Sequence, residues 1–340
     1  MVKNFNKNIQ EIQPYHVETI LESLKRMHAN ESLKPILNYE ILMKNIDENL
    51  NFYPETKALK LIELAGIFYD IDKDKIIATN GSDEGIDLII RTFCNPAEDT
   101  ILVVEPTFSM YRQYATAFGV RVEKINLIED KNCFILDENE VIAKAKKYNA
   151  KMIFIPNPLA NVGGLVNENK LIKIVQSLQN TIIVIDEAYI EFCDLEDSLL
   201  SKLHKYENLV VLRTFSKFFG LAGVRLGFIF SNFTNEILKI KSPYNVNTLT
   251  CQIGINVFKN ITQDIIKRKQ NEILQKRIEL ERWLKNFDEV ETVFKSDTNF
   301  VMIKLNCMAG VFADKLEQQF NIKIKAMSGK FENYCRISVL

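Results

Sequence analysis

The sequence has little that would direct it to a membrane, a metal or a nucleic acid. Its 340 residues contain no run of 18 apolar positions, so no membrane-spanning helix is expected. The opening stretch MVKNFNKNIQEIQPYHVETI lacks the apolar core of a secretion signal. Six cysteines, Cys94, Cys133, Cys193, Cys251, Cys307 and Cys335, never form a Cys-x-x-Cys pair. Reduced thiols and a cytoplasmic location are therefore expected. The three histidines, His16, His28 and His204, show no metal-ligand spacing, and no metal is expected. Lys and Arg number 43 against 44 Asp and Glu, for a net charge of −1, and no long basic run occurs. That leaves no electrostatic footprint for nucleic acid.

What is present is ordinary globular usage, 47% hydrophobic and 26% charged. A chain of this length fits two domains, or one large α/β domain with a smaller partner. Between Lys75 and Phe230 short apolar runs alternate with amphipathic stretches. The runs are KIIAT (75–79), TILVV (100–104), RVEKIN (121–126), KMIFI (151–155), TIIVID (181–186), LVVLRTF (209–215) and RLGFIF (225–230). Their lengths and β-branched content suit strands buried on both faces. Helical patterns at 82–94 and 167–180 lie between them, which argues a mostly parallel, doubly wound sheet. The last two runs follow each other with no obvious helix, so an antiparallel strand is expected there. After Ser231 the texture changes. One long amphipathic helix is predicted over 261–286, followed by runs at 299–305, 321–326 and 334–340 and a helical pattern at 309–320. This reads as a second, smaller α+β domain.

Ligands of parallel α/β sheets bind at the carboxyl ends of strands. KIIAT is followed by NGSDEGIDLII, in which Ser82 suits a helix N-cap and Asp83 a first turn, beside an anion-binding helix start. TILVV is followed by EPTFSMY, where Phe108 could lie over a planar ligand. TIIVI ends in Asp186, a costly carboxylate at a buried strand end unless it has a partner, with Tyr189 three residues on. LVVLR leads into TFSKFFGLAGVRLGF, where Ser216 and Arg225 could grip a phosphate around Lys217. An amine, a carboxylate, a phenol, an aromatic face and an anion cup in one α/β domain are what pyridoxal phosphate requires.

The chain resembles fold-type I pyridoxal-phosphate aminotransferases, in particular the histidinol-phosphate aminotransferase group within class II. The resemblance runs through IQPY (12–15), HANE (28–31), NFYPE (51–55), GSDEGIDLIIRTFCNP (81–96), PTFSMY (106–111), VIDEAYIEF (184–192), RTFSKFFGLAGVRLGF (213–228), PYNVN (243–247) and YCRIS (334–338). It implies an aspartate-aminotransferase-like large domain with a mostly parallel sheet, plus a smaller α+β domain. The expected division is an N-terminal arm over 1–35, a cofactor-binding domain over 36–240 and a small domain over 241–340. By the resemblance Lys217 bonds the cofactor as a Schiff base and carries the proton between substrate and cofactor. Asp186 keeps the pyridine nitrogen protonated, Tyr189 donates to the ring oxygen and Phe108 stacks on the ring. Ser82, Asp83, Ser216 and Arg225 cup the phosphate, and Tyr53 reaches it from the second subunit of a homodimer. Arg336 binds the donor carboxylate, while Tyr15 and Asn30 line the substrate side.

Three features depart from the group. Its usual Pro-Asn-Asn-Pro-Thr-Gly becomes PNPLANVGGLV (156–166), where an ungapped match puts Ala160 at the asparagine that bonds the ring oxygen. Asn161, next door, could substitute if the loop is rebuilt. Lys325 stands where the group usually carries an arginine for the substrate phosphate, and the chain ends soon after Arg336. The expected reaction is transamination of a small phosphorylated amine or ketone with a donor such as glutamate. Candidates are histidinol phosphate and a three-carbon compound such as the serinol phosphate and dihydroxyacetone phosphate pair, and the departures favour the smaller. The alternative is decarboxylation of a phosphorylated amino acid, as in threonine-phosphate decarboxylases. A cofactor-binding regulator without turnover is a third reading, weakened by the lack of a DNA-binding segment.

Overall fold

A computed structural model describes residues 6–14, 23–46 and 50–340. Its strands, in chain order, are β1 (Lys25–Met27), β2 (Ile76–Asn80), β3 (Thr100–Glu105), β4 (Arg121–Asn126), β5 (Ile128–Asp130), β6 (Cys133–Ile135) and β7 (Met152–Pro156). They continue as β8 (Ile182–Asp186), β9 (Leu209–Thr214), β10 (Leu226–Ser231), β11 (Val290–Val293), β12 (Phe300–Leu305), β13 (Ile322–Ala326) and β14 (Tyr334–Ser338).

The large sheet has seven strands in the order β2-β10-β9-β8-β7-β3-β4. Its pairs are parallel except for β10, which runs antiparallel to both β9 and β2. That is the antiparallel strand the missing helix between the last two runs predicts. Every residue of β7, β8, β9 and β10 is buried, which explains why these strands read as continuous apolar runs. Alternation sends Ile183 and Ile185 to one face and Ile182 and Val184 to the other. The first face is covered by helices Leu59–Tyr69, Glu138–Lys147 and Glu168–Ser177. The second is covered by Gly81–Phe93 and Met110–Phe118.

The smaller sheet has the order β1-β13-β14-β12-β11, with helix Ala309–Phe320 packing Phe312 and Leu316 onto it. Leu284, at the end of the long helix Gln263–Leu284, enters the same core. Four short strands, β1, β5, β6 and β11, were not readable from the sequence. β11 is short and half-exposed. β1 lies within the expected arm, yet it pairs in parallel with β13 and buries only Met27. Three residues are too few to show a period of two. A helix boundary also differs from expectation. Helix Gly81–Phe93 starts before Ser82, and Asn80 occupies the N-cap position. Glu84, in the first turn, reaches back to accept the Asn80 backbone N–H at 2.6 Å and so ties down the helix start. Among the described residues no helix is long and apolar enough to cross a membrane, and no cluster of side chains suits a metal.

Candidate active site

The carboxyl ends of β7, β8 and β9 open into a cavity of about 320 Å³. Ser82, Asp83, Phe108, Asp186, Tyr189, Ser216, Lys217 and Arg225 line it from the large sheet. Asn161 lines it from the loop after β7, and Asn30, Lys325 and Arg336 line it from the side of the small sheet. Two further residues were expected at this site. Tyr15 lies outside the described residues. Tyr53 is 81% exposed and stacks on Tyr244 at 4.4 Å between ring centroids, away from this cavity.

Asp186 ends β8 and is 4% exposed. Its Oδ2 accepts from the Tyr111 hydroxyl at 2.6 Å and its Oδ1 from the Ala188 N–H at 3.0 Å. Burial pushes its carboxyl up to about 6, with those two hydrogen bonds pulling it back. Tyr111 stacks on Phe154 at 4.8 Å and meets Phe108 edge-on at 5.9 Å. Sequence reasoning gave Tyr111 no role. The available signal was its spacing, three residues after Phe108 at the start of a helical pattern.

Lys217 sits in the loop after β9. Its Nζ donates to the Ala29 carbonyl at 3.1 Å and lies 5.8 Å from the centroid of the Tyr189 ring. The Tyr189 oxygen accepts from Asn30 Nδ2 at 2.9 Å. With that acceptor site filled, the hydroxyl proton can be donated into the cavity. Asn30 is 1% exposed and is fastened in turn by Ser338, whose Oγ accepts its backbone N–H at 2.8 Å. The structure thus makes Asn30 a brace for Tyr189 as well as a wall of the cavity.

Arg225 Nη1 donates to Ser216 Oγ at 3.3 Å and Nη2 to Asp83 Oδ2 at 2.8 Å. Two glycines permit this packing. A Cβ on Gly81 would stand 2.6 Å from Arg225 Nη2, and one on Gly227 would stand 2.5 Å from the Gly81 carbonyl carbon. The start of helix Gly81–Phe93, with its unpaired backbone N–H groups, can therefore press against the guanidinium. The Asp83 carboxylate is engaged by Arg225, so the side chain orients the cation, and the residue's N–H is the group suited to an anion.

The rebuilt loop places Ala160 against Ala188, Tyr189 and Phe300. Asn161, at φ 72°, holds its carboxamide between two partners. Its Nδ2 donates to the Thr107 carbonyl at 2.6 Å, and its Oδ1 accepts from Arg336. Arg336 also donates to the His28 carbonyl at 2.8 Å. Lys325 is the cross-strand partner of Arg336 on the β13–β14 pair, which puts both on one face.

These residues fit pyridoxal phosphate. A carboxylate buried without a cation of its own is costly, and a protonated pyridine nitrogen is the partner it lacks. An arginine beside a helix start suits the phosphate, and an amine shares the cavity with both.

Residues 22–339 match the family model for aminotransferase class I and II. A histidinol-phosphate aminotransferase of Clostridium novyi is 35% identical over 98% of this chain and 92% of its own length. The solved histidinol-phosphate aminotransferase of Clostridium acetobutylicum superimposes with a TM-score of 0.83 at 27% identity, covering 93% of this chain and 94% of that one. That of Sinorhizobium meliloti, solved with pyridoxal-5'-phosphate, shares the fold at a TM-score of 0.87 and 21% identity, over 100% and 94% of the two chains. Cavity, fold and relatives agree: this chain belongs to the class I and II aminotransferases, and it is a pyridoxal-phosphate-dependent transaminase with their α/β, aspartate-aminotransferase-like architecture.

Proposed function

We propose that this transaminase interconverts histidinol phosphate and its ketone, with glutamate and 2-oxoglutarate as the second pair. The observation that carries the reading is the cationic wall of Lys325 and Arg336 facing Lys217 across the cavity. Curated relatives at 33–36% identity that are named histidinol-phosphate aminotransferases support it. The expectation of a smaller, three-carbon substrate rested partly on a lost asparagine and a rebuilt loop. Asn161 now stands at Arg336, so the loop still supplies a carboxamide at the substrate end, and that motive for a smaller substrate weakens. The decarboxylase alternative draws on no feature that separates it from transamination.

Pyridoxal phosphate, when bound, supplies an aldehyde that takes up the substrate amine and a ring that accepts electron density. Lys217 Nζ is the amine that would hold the cofactor through its aldehyde, and it would serve as the base that moves the proton between the substrate carbon and cofactor C4′. Asp186 holds a proton on the pyridine nitrogen, and Tyr111 positions Asp186. Tyr189, its direction fixed by Asn30, would donate to the ring oxygen, and Phe108 would cover the ring. Ser82, Ser216, Arg225 and the Asp83 N–H hold the phosphate. Arg336, steadied by Asn161, takes the glutamate carboxylate, and Lys325 takes the phosphate of the second substrate. Tyr15 belongs to the substrate side and Tyr53 to the phosphate site of a second subunit.

The enzyme is proposed to be a cytoplasmic homodimer, divided into an arm (1–35) whose β1 joins the small sheet, a cofactor domain (36–240) and a small domain (241–340). Support for the dimer comes from Tyr39, Met43, Leu50, Phe52, Tyr53 and Leu59, large apolar side chains that are all exposed along one short segment. The reaction is tested by incubating the cofactor-loaded enzyme with histidinol phosphate and 2-oxoglutarate. Glutamate should form with the ketone in equal amounts. Release of carbon dioxide from a phosphorylated amino acid, with no glutamate formed, would replace this reading with the decarboxylase.

A further inference from the structure

The cavity wall contains a cation that sequence reasoning did not single out. Arg26 lies on β1, and its backbone partner on the neighbouring strand is Lys323. Met27 and its partner Ile324 both belong to the small-domain core. Alternation therefore puts Arg26 on the opposite face, the one that carries Lys323 and Lys325. Arg26 and Lys325 line the same cavity, together with Arg336. In this structure Arg26 Nη2 donates to Glu31 Oε1 at 3.0 Å, and Glu31 lines the cavity too.

We infer that Arg26 is a specificity-determining residue, the second cation of a clamp that grips the substrate phosphate together with Lys325. The inference rests on the proposed phosphorylated substrate. Charge favours it. A phosphate monoester carries about −1.5 to −2 at pH 7, and one lysine matches only half of that. Geometry favours it as well. Lys325 is a point charge, whereas a guanidinium fork fixes a phosphate by paired hydrogen bonds. Arg336 is already fastened to Asn161 and to the His28 carbonyl, which holds it at the carboxylate position. The Arg26–Glu31 pair is a half-exposed ion pair, 55% and 35% accessible, of a kind worth only about 0–1 kcal/mol. An arriving phosphate can displace Glu31, which then acts as a placeholder that keeps Arg26 aimed at the cavity while the site is empty.

The test compares holoenzymes by kcat/KM for histidinol phosphate, unphosphorylated histidinol and glutamate. Arg26→Gln should lower the ratio of phosphorylated to unphosphorylated substrate about 10- to 100-fold, the range of a lost hydrogen bond to a charged group. Arg26→Lys should recover part of that ratio. Glu31→Gln, which removes the competing carboxylate, should tighten competitive inhibition by inorganic phosphate, and Arg26→Gln should weaken it. Equal losses with both substrates, or inhibition by phosphate that neither variant changes, would overturn the clamp while leaving the proposed function standing. A wild-type enzyme that turns over no phosphorylated amine would remove both.

Discussion

Asp186 and Glu187 are adjacent carboxylates, both buried, with opposite surroundings. Glu187 is paired to Arg213 at 2.8 Å, while among the described residues the Asp186 carboxylate meets a phenol and an N–H and no cation. Its carboxyl, pushed up to about 6 by burial, lies above the ordinary value of 3.8. A raised value means that the folded chain holds the proton more tightly than the unfolded one. The contribution to stability is therefore full below about pH 3.8 and is lost as pH rises through about 6. Ionised Asp186 is also what a protonated pyridine needs. Cofactor affinity, measured by equilibrium dialysis, should rise about tenfold in all between pH 5 and 7, and Asp186→Asn should flatten that rise. The same variant should retain bound cofactor yet lose turnover by orders of magnitude, and near-normal turnover would contradict the assigned role. The types of Asp186, Tyr189 and Lys217 were legible in the sequence because each stands at or just past the end of an apolar strand. Their braces were not. Asn30 reaches Tyr189 across 159 positions and Ser338 across 308, and no local pattern records such contacts.

At the scale of elements, β8 and β9 are tied together below the site by a buried polar cluster. Arg213 on β9 bonds Glu187, Glu191 and Ser198, and its guanidinium lies 4.9 Å from the Tyr69 ring centroid. Removing Arg213 would leave buried carboxylates without a counter-ion. Arg213→Met should cost about 3–5 kcal/mol in denaturant unfolding, the range for breaking one side of a buried pair. Glu191 behaves differently. Burial pushes its carboxyl up to about 7 against the pull of Arg213, so its contribution is lost as pH rises through 7. Glu191→Gln should flatten the stability profile between about pH 4.5 and 7, and an unchanged slope would show that another group sets it. The strands themselves were readable because β7 to β10 are buried on both faces and carry unbroken apolar runs. The cluster was not, since a single Arg213 inside LVVLRTF looks like any interruption of a strand. β1 failed to register for a different reason: its identity comes from pairing with β13, not from its own three residues.

At the scale of the whole molecule, the site exists because the two sheets meet. Lys217 comes from the large sheet, and its amine rests on the carbonyl of Ala29, just beyond β1 of the small one. Tyr53 is exposed and stacks on Tyr244, and in the proposed homodimer it would complete the site of the second subunit. Mixing a Lys217→Ala parent with a Tyr53→Ala parent should give heterodimers with one intact site and activity above the sum of the two parents. Full activity in a strictly monomeric enzyme would refute the shared site. The most direct test of the account is the place where the cofactor becomes attached. Borohydride reduction of the yellow holoenzyme, followed by peptide mapping, should put the reduced cofactor on Lys217 alone. A label on any other lysine, or a holoenzyme that borohydride does not fix, would contradict the central claim.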